Sequence, residues 1–404
     1  MPQPVKFQNP VIPGFNPDPC IVRVGKDYFL VTSTFEYFPG IPIYHSTDLL
    51  NWTLIGPVLV RRSQLDMRTT EPSGGVWAPT IRYVEYQGKG RFYISVGCTQ
   101  RFRPKEWDIV IPRGFYVTTD NIWAKDSWSD PIYSDVPGID QDLCISRQQP
   151  VPGATEMDLY LPPRPGHRGG APYLPTPTSH SPTGSPVQHL RTSWRDDLHA
   201  PNLKLGWYHL RTPLKREYSL TDNPGSLSVH GNAYRIADAE CPSMLLQNQP
   251  AVSVDWRVGL RLAPANALEE AGTAIWWSQF AYASIGLRMS GGGDGHELFF
   301  RGYTGEGDRF DEKVHPIQGN TSLELLIRAR PAKYELLFSV AGSGTCAGAG
   351  FTKLGEIISS ALTVRHPGRE SANTGAHFAI YVQGVHGMPC LQPAVFSFAE
   401  WECV

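Results

Sequence analysis

The chain has 404 residues, of which 41% are hydrophobic and 11% aromatic, with a formal net charge of -2 and a pI near 6.6. So balanced a charge leaves no electrostatic footprint for a polyanion or an anionic membrane, which excludes nucleic-acid and membrane-surface partners as first expectations. The length suits two large domains, or one large β domain with a smaller companion.

The N-terminal stretch, Met1-Pro2-Gln3-Pro4-Val5-Lys6-Phe7, lacks a basic segment followed by an apolar run. No apolar stretch reaches the roughly 18 residues of a membrane span. The expectation is a soluble, cytoplasmic protein. Seven cysteines, Cys20, Cys98, Cys144, Cys241, Cys346, Cys390 and Cys403, are scattered without a CxxC or Cys/His spacing. They read as buried free thiols, and neither a metal site nor another cofactor is expected.

The first informative element is Gly14-Phe15-Asn16-Pro17-Asp18-Pro19, which runs into the apolar segment Cys20-Ile21-Val22-Arg23-Val24. Each proline fixes its own φ and pushes the residue before it towards extended geometry, so Asn16 and Asp18 have few backbone choices. A carboxylate held in that way suits a catalyst. An ordinary Asp-Pro turn leading into a strand accounts for the same residues.

Residues 1–147 read as short strands separated by Gly, Pro, Asn and Asp, without helical periodicity. Two stretches resemble each other. Gly25 to Ser33 leads to Ile43 to Leu49 and then Trp52, while Gly88 to Val96 leads to Phe115 to Asn121 and then Trp123 and Trp128. The repeat is compatible with propeller blades carrying long loops, and a β-sandwich with paired aromatic strands is the competing arrangement. Residues 148–193 change character, with prolines from Pro150 to Pro186 and few strand formers, and read as a Pro-rich linker. From 194 to 404 β patterning returns in Trp207 to Pro213, Ala274 to Trp277, Leu298 to Phe300, Ser322 to Ile327 and Tyr334 to Phe338, separated by Gly-rich turns. That pattern predicts a jelly-roll β-sandwich.

Three features of the first part bear on chemistry: Asp18, the segment Gly75-Val76-Trp77-Ala78-Pro79, and Pro137-Gly138-Ile139-Asp140-Gln141-Asp142. In a propeller, acids at the starts of successive blades converge on one pocket despite wide sequence separation. Asp18 and Asp140 are then neighbours whose ionisations influence each other, which is how acid and base roles separate at one pH. Trp77 offers a flat apolar face on which a sugar ring stacks, and Phe35 closes the other side. Core packing is the alternative for both aromatics.

Taken in order, Gly14 to Pro19, Thr32-Ser33-Thr34-Phe35-Glu36-Tyr37-Phe38-Pro39-Gly40, Tyr44-His45-Ser46, Asp48-Leu49-Leu50-Asn51-Trp52, Trp77-Ala78-Pro79 and Gly138-Ile139-Asp140 resemble glycoside hydrolase family 43. The β-xylosidase and α-L-arabinofuranosidase branch fits best. Leu210-Arg211-Thr212-Pro213, Tyr218-Ser219-Leu220-Thr221, Pro224-Gly225-Ser226-Leu227 and Gly375-Ala376-His377-Phe378-Ala379 are similar to the concanavalin-like sandwich of those xylosidases. The resemblance implies an all-β chain with a five-bladed propeller followed by the sandwich. It also implies a small oligosaccharide substrate and inverting hydrolysis of a terminal xylose or arabinofuranose, in which a carboxylate activates water while a carboxylic acid protonates the leaving oxygen. By the same resemblance Asp18 is the general base, Asp140 tunes and orients the acid, and Phe35 and Trp77 line the sugar pocket.

The family's acid-bearing Pro-Glu-Gly-Pro-His type segment and the Gly-His-Ala-Asp type segment after it are missing, and only the Pro-rich stretch separates Asp140 from the sandwich. An incomplete propeller follows, with Glu156 and Asp158 the nearest acidic replacements. The expectation is a glycosidase impaired by loss of its general acid. A non-catalytic carbohydrate-binding remnant and a repurposed pathway enzyme on the same scaffold stand as alternatives.

Overall fold

A computed structural model describes residues 7–404 apart from 69, 101–110, 135–137, 146–158, 161–189, 267, 292–294, 319–321, 341–349, 363–372, 385–387 and 389. Most of the expected linker, including Glu156 and Asp158, lies outside the described residues. Within them the protein is all-β, its single helical element being a 3-10 turn at Ser359–Ala361.

The first sheet contains β1 (Cys20–Val24), β2 (Asp27–Val31), β4 (Gly40–Ser46) and β5 (Thr53–Leu59), paired antiparallel in that order, with the short β3 (Tyr37–Phe38) outside it. Gly25, at φ 62, opens the two-residue turn between β1 and β2, where a side chain would be strained. The second sheet contains β6 (Gly75–Tyr86), β7 (Lys89–Gln100), β8 (Ile111–Thr119) and β9 (Ile132–Ser134), again in sequential order. Its β6–β7 hairpin closes through Gln87 and Gly88, both at positive φ, as a tight primed turn requires. The two repeats seen in the sequence fall on β2 with β4 and on β7 with β8, equivalent places in two four-stranded up-and-down sheets.

These sheets pack face to face through β6, which touches β1, β2 and β4. Phe29, Val31, Ile43, Val76, Ile81, Phe92, Ile94 and Phe115 form their common core. The alternate residues of β2 and β7 supply it, as expected of strands with one face turned inward.

The second half is a two-sheet sandwich. In one sheet the C-terminal strand Ala394–Cys403 lies beside Val254–Arg261, which pairs with Ser322–Arg330, then Lys333–Val340 and Thr352–Ile358. The opposing sheet places Glu269–Ser278 between His377–Gly384 and Ala281–Met289, and continues to His296–Tyr303 and Phe310–Ile317. Between them sits Trp256, fully buried, stacked on Phe378 with ring centroids 5.2 Å apart. An aromatic of that size dominates the area removed from water.

A continuous strand expected over Trp207 to Pro213 is not formed. His209–Leu210 pair with β3 of the first part, and Tyr208 makes an isolated bridge to Leu246 of the sandwich. Arg211 turns to φ 61 and Pro213 has no N–H to donate, so the ladder stops there. The two halves share an apolar cluster in which Tyr37 meets Tyr208, Leu246, Trp276, Ala379 and Tyr381.

Five cysteines, Cys20, Cys98, Cys241, Cys390 and Cys403, are free. Burial pushes the Cys98 thiol up to about 12, so it is a protonated apolar filler at neutral pH. Among the described residues no helix is long and apolar enough to cross a membrane.

Candidate active site

The turn before β1 is held from two sides. Tyr44 donates its hydroxyl to Asn16 Oδ1 at 2.7 Å, Asn16 Nδ2 donates to the Pro13 carbonyl at 3.0 Å, and Asn248 of the sandwich donates to the Phe15 carbonyl at 3.3 Å. Asp18 emerges from this turn at φ 52, exposed to solvent. Its Oδ2 accepts the Ser33 hydroxyl at 2.7 Å, and the same hydroxyl accepts the Ala78 amide at 2.7 Å. Asp18 and the Trp77-Ala78-Pro79 tripeptide are thereby joined through one oxygen.

Phe35 and Val76 exchange both backbone hydrogen bonds, each at 3.0 Å. The approach is so close that a Cβ on Gly75 would lie 2.1 Å from the Phe35 carbonyl oxygen. Glycine is therefore required where β6 begins. The Phe35 ring is 6.2 Å from Trp77 and 5.7 Å from Phe15, and Phe15 continues to Tyr37 and His377 at 6.4 Å and 6.1 Å. The result is an aromatic wall that starts at Trp77 and runs into the sandwich. Trp77 itself is half-buried, with its indole N–H donated to the Ser73 carbonyl at 2.8 Å. His377 ends the wall as a neutral ring, because burial drives its ionisation down to about 3.

Asp140 is exposed at φ 57, on a segment that crosses over β7 and β8. Backbone atoms of Gly138 and Ile139 come within 4.0 Å of the Cβ position of Gly97, which pairs with Trp77 across the β6–β7 ladder. Asp142 forms an ion pair with Arg82 at 2.5 Å, and Arg82 also approaches the Cys20 sulfur at 3.7 Å. Arg82 thus draws the Asp140 segment and the Asp18 turn towards one end of the two sheets. Phe35 and Trp77 are in ring contact and Asp18 joins them through Ser33, whereas Asp140 touches none of the three and lies on the segment whose Asp142 pairs with Arg82.

Beneath the wall lies a buried pair that sequence reading passed over. The Glu36 carboxylate accepts the Ser73 amide at 3.1 Å and faces the guanidinium of Arg211. Arg211 donates its amide to the Glu36 carbonyl at 2.7 Å, and its guanidinium to the carbonyls of Thr70 at 2.6 Å and Glu240 at 2.7 Å. Ser73 also accepts the Asn373 amide, so this pair supports both Trp77 and a sandwich loop. Desolvation outweighs the favourable hydrogen bonds and the Arg211 charge, and raises Glu36 from its ordinary 4.5 to about 7. Between those values the folded protein binds a proton that the unfolded chain has released. Glu36 therefore adds full stability below about 4.5, and this is lost as pH rises towards 7. Glu36→Gln is expected to flatten that part of the profile, read as urea midpoints between pH 4.5 and 7.5.

Residues 7–148 match the glycosyl hydrolases family 43, and residues 195–402 match the β-xylosidase C-terminal concanavalin A-like domain. The chain belongs to glycosyl hydrolase family 43. A xylosidase/arabinosidase of Humicola insolens is 44% identical over 143 residues, 35% of this chain and 24% of that protein. A β-xylosidase of Bacillus subtilis is 42% identical over 139 residues, 34% of this chain and 24% of that protein. The match thus spans about a quarter of the length of these family 43 relatives. In structure, a xylan β-1,4-xylosidase of Bacillus halodurans aligns with a TM-score of 0.81 and 21% identity over 98% of this chain and 100% of the other, which establishes a common fold.

Phe15, Ser33, Glu36, Arg211 and His377 were not singled out from sequence. All five lie inside quoted motifs, but only contacts between residues distant in sequence give them a place at the site.

Proposed function

We propose that this family 43 chain is a pentoside-directed glycoside hydrolase, impaired towards poor leaving groups, in which Asp18 activates water against a terminal xylose or arabinofuranose held on Phe35 and Trp77. Inverting hydrolysis places a carboxylate base on one face of the sugar and an acid on the other. Asp18 meets the first requirement, being exposed, beside the aromatic wall and anchored through one oxygen. In this reading Asp140 holds the place of the carboxylate that tunes and orients the acid, and loss of that acid is the cause of the impairment. The observation that carries the proposal is the Ser33 bridge from the Asp18 carboxylate to Ala78, which sets base and sugar platform in a common frame. The relatives, named as xylosidases and arabinosidases, favour a pentose.

The test compares nitrophenyl xyloside and arabinofuranoside with xylobiose. Nitrophenol leaves with little protonation, whereas a xylose hydroxyl needs an acid, whose loss typically costs about 10²- to 10⁴-fold. Slow release of nitrophenol with xylobiose resistant is expected. Equal, fast turnover of both would show that a general acid operates, and no turnover of either would remove the hydrolase reading.

A second reading is a non-hydrolytic carbohydrate-binding protein. The Phe15–Phe35–Trp77 wall favours it, because stacking on aromatics needs no acid. Calorimetry with xylo-oligosaccharides that showed binding but no product after long incubation would select it.

A further inference from the structure

Ser33 is buried at 2% exposure directly beneath the exposed carboxylate of Asp18. Three hydrogen bonds fix it. Its amide donates to the Pro17 carbonyl at 3.0 Å, its hydroxyl donates to Asp18 Oδ2 at 2.7 Å, and its oxygen accepts the Ala78 amide at 2.7 Å. A serine hydroxyl carries one proton. The Ala78 amide occupies a lone pair, so that proton is directed at Asp18 Oδ2 and leaves Oδ1 to take a proton from water.

Asp18 at φ 52 and Ala78 at φ 43 both sit in the left-handed region that residues with a Cβ seldom adopt. Such conformations persist where surrounding contacts over-determine them, and the Ser33 hydroxyl touches both residues. We propose that Ser33 is a positioning residue that aims the Asp18 carboxylate and holds it in register with the Trp77-Ala78-Pro79 wall. Its effect on rate rests on the reading of Asp18 as the base, but its effect on the Asp18 carboxylate does not.

The experiment uses the full chain, its Ser33→Ala variant, and Ser33→Cys, which is nearly isosteric with a weaker donor. A hydrogen bond to a charged group has a net worth equivalent to about tenfold or more. With nitrophenyl xyloside, kcat for Ser33→Ala is expected to fall about tenfold or more with a smaller change in KM. In parallel, the carboxylate carbons are labelled with 13C, and the Asp18 signal is assigned by its disappearance in Asp18→Asn. At neutral pH its chemical shift is expected to move in Ser33→Ala, and by less but in the same direction in Ser33→Cys, because a donor on one carboxylate oxygen polarises the group. An unmoved signal in variants that melt cooperatively overturns the positioning role, whatever the activity. If the unsubstituted chain turns over no substrate, the hydrolase reading fails and the carboxylate signal still decides Ser33. If Ser33→Ala does not fold, Ser33→Cys carries the same test.

Discussion

Asp18→Asn is expected to lower turnover of nitrophenyl xyloside by about 10²- to 10⁴-fold while KM changes little. The amide keeps the shape of the carboxylate and can still accept the Ser33 hydroxyl, so the turn between Pro17 and β1 is retained. It cannot take a proton from water. A base acts on a proton that moves only in the transition state, so its loss appears in kcat and not in ground-state binding. The sugar contacts assigned to Phe35 and Trp77 are untouched by the substitution. Steady-state kinetics with kcat and KM resolved separately check this. A variant as fast as the unsubstituted chain would show that hydrolysis does not pass through Asp18.

The largest expected effect on stability is at Arg211. Arg211→Met removes a buried guanidinium that holds the Thr70 and Glu240 carbonyls and faces Glu36, at the place where the two halves meet. Removing the guanidinium leaves the Thr70 and Glu240 carbonyls without its charged donors, at about 1–3 kcal/mol each, so the expected loss is about 3–5 kcal/mol. Part of it is recoverable, because Glu36 can take up a proton, and more readily at pH 5 than at pH 8. Adding Glu36→Gln to Arg211→Met is therefore expected to restore part of the loss at pH 8. Urea unfolding of the single and double variants at both pH values measures the coupling. Strict additivity at pH 8 would show that the two side chains do not interact.

Much of the first part was legible because its signals are local. The internal repeat of two similar aromatic-rich stretches, bounded by Gly, Pro, Asn and Asp, located β2, β4, β7 and β8. Prolines on either side of Asp18 marked a restricted carboxylate, but the extended backbone that a following proline favours is not the one it adopts: Asp18 sits in the left-handed region at φ 52, with its carboxylate held by Ser33. The Trp207 to Pro213 segment misled, because its apolar residues suggest a strand but its pairing partner is β3, far away in sequence. Glu36 was overlooked for a related reason. A lone glutamate between Phe35 and Tyr37 reads as an exposed strand position until Arg211, from the other half of the chain, turns out to face it.

The sequence by itself determined the all-β class, the two similar blades and the sandwich, and marked Asp18, Phe35 and Trp77 as candidates, because turn residues and strand patterning act between near neighbours. Tertiary structure decided which groups stand together. The Ser33 bridge to Ala78, the continuation of the aromatic wall through Phe15 to His377, and the Glu36–Arg211 pair all join residues distant in sequence. Such contacts depend on how the blades and the sandwich pack, and no local pattern encodes them. Desolvation follows the same packing, so the raised Glu36 and the lowered His377 became visible only when their surroundings were in place.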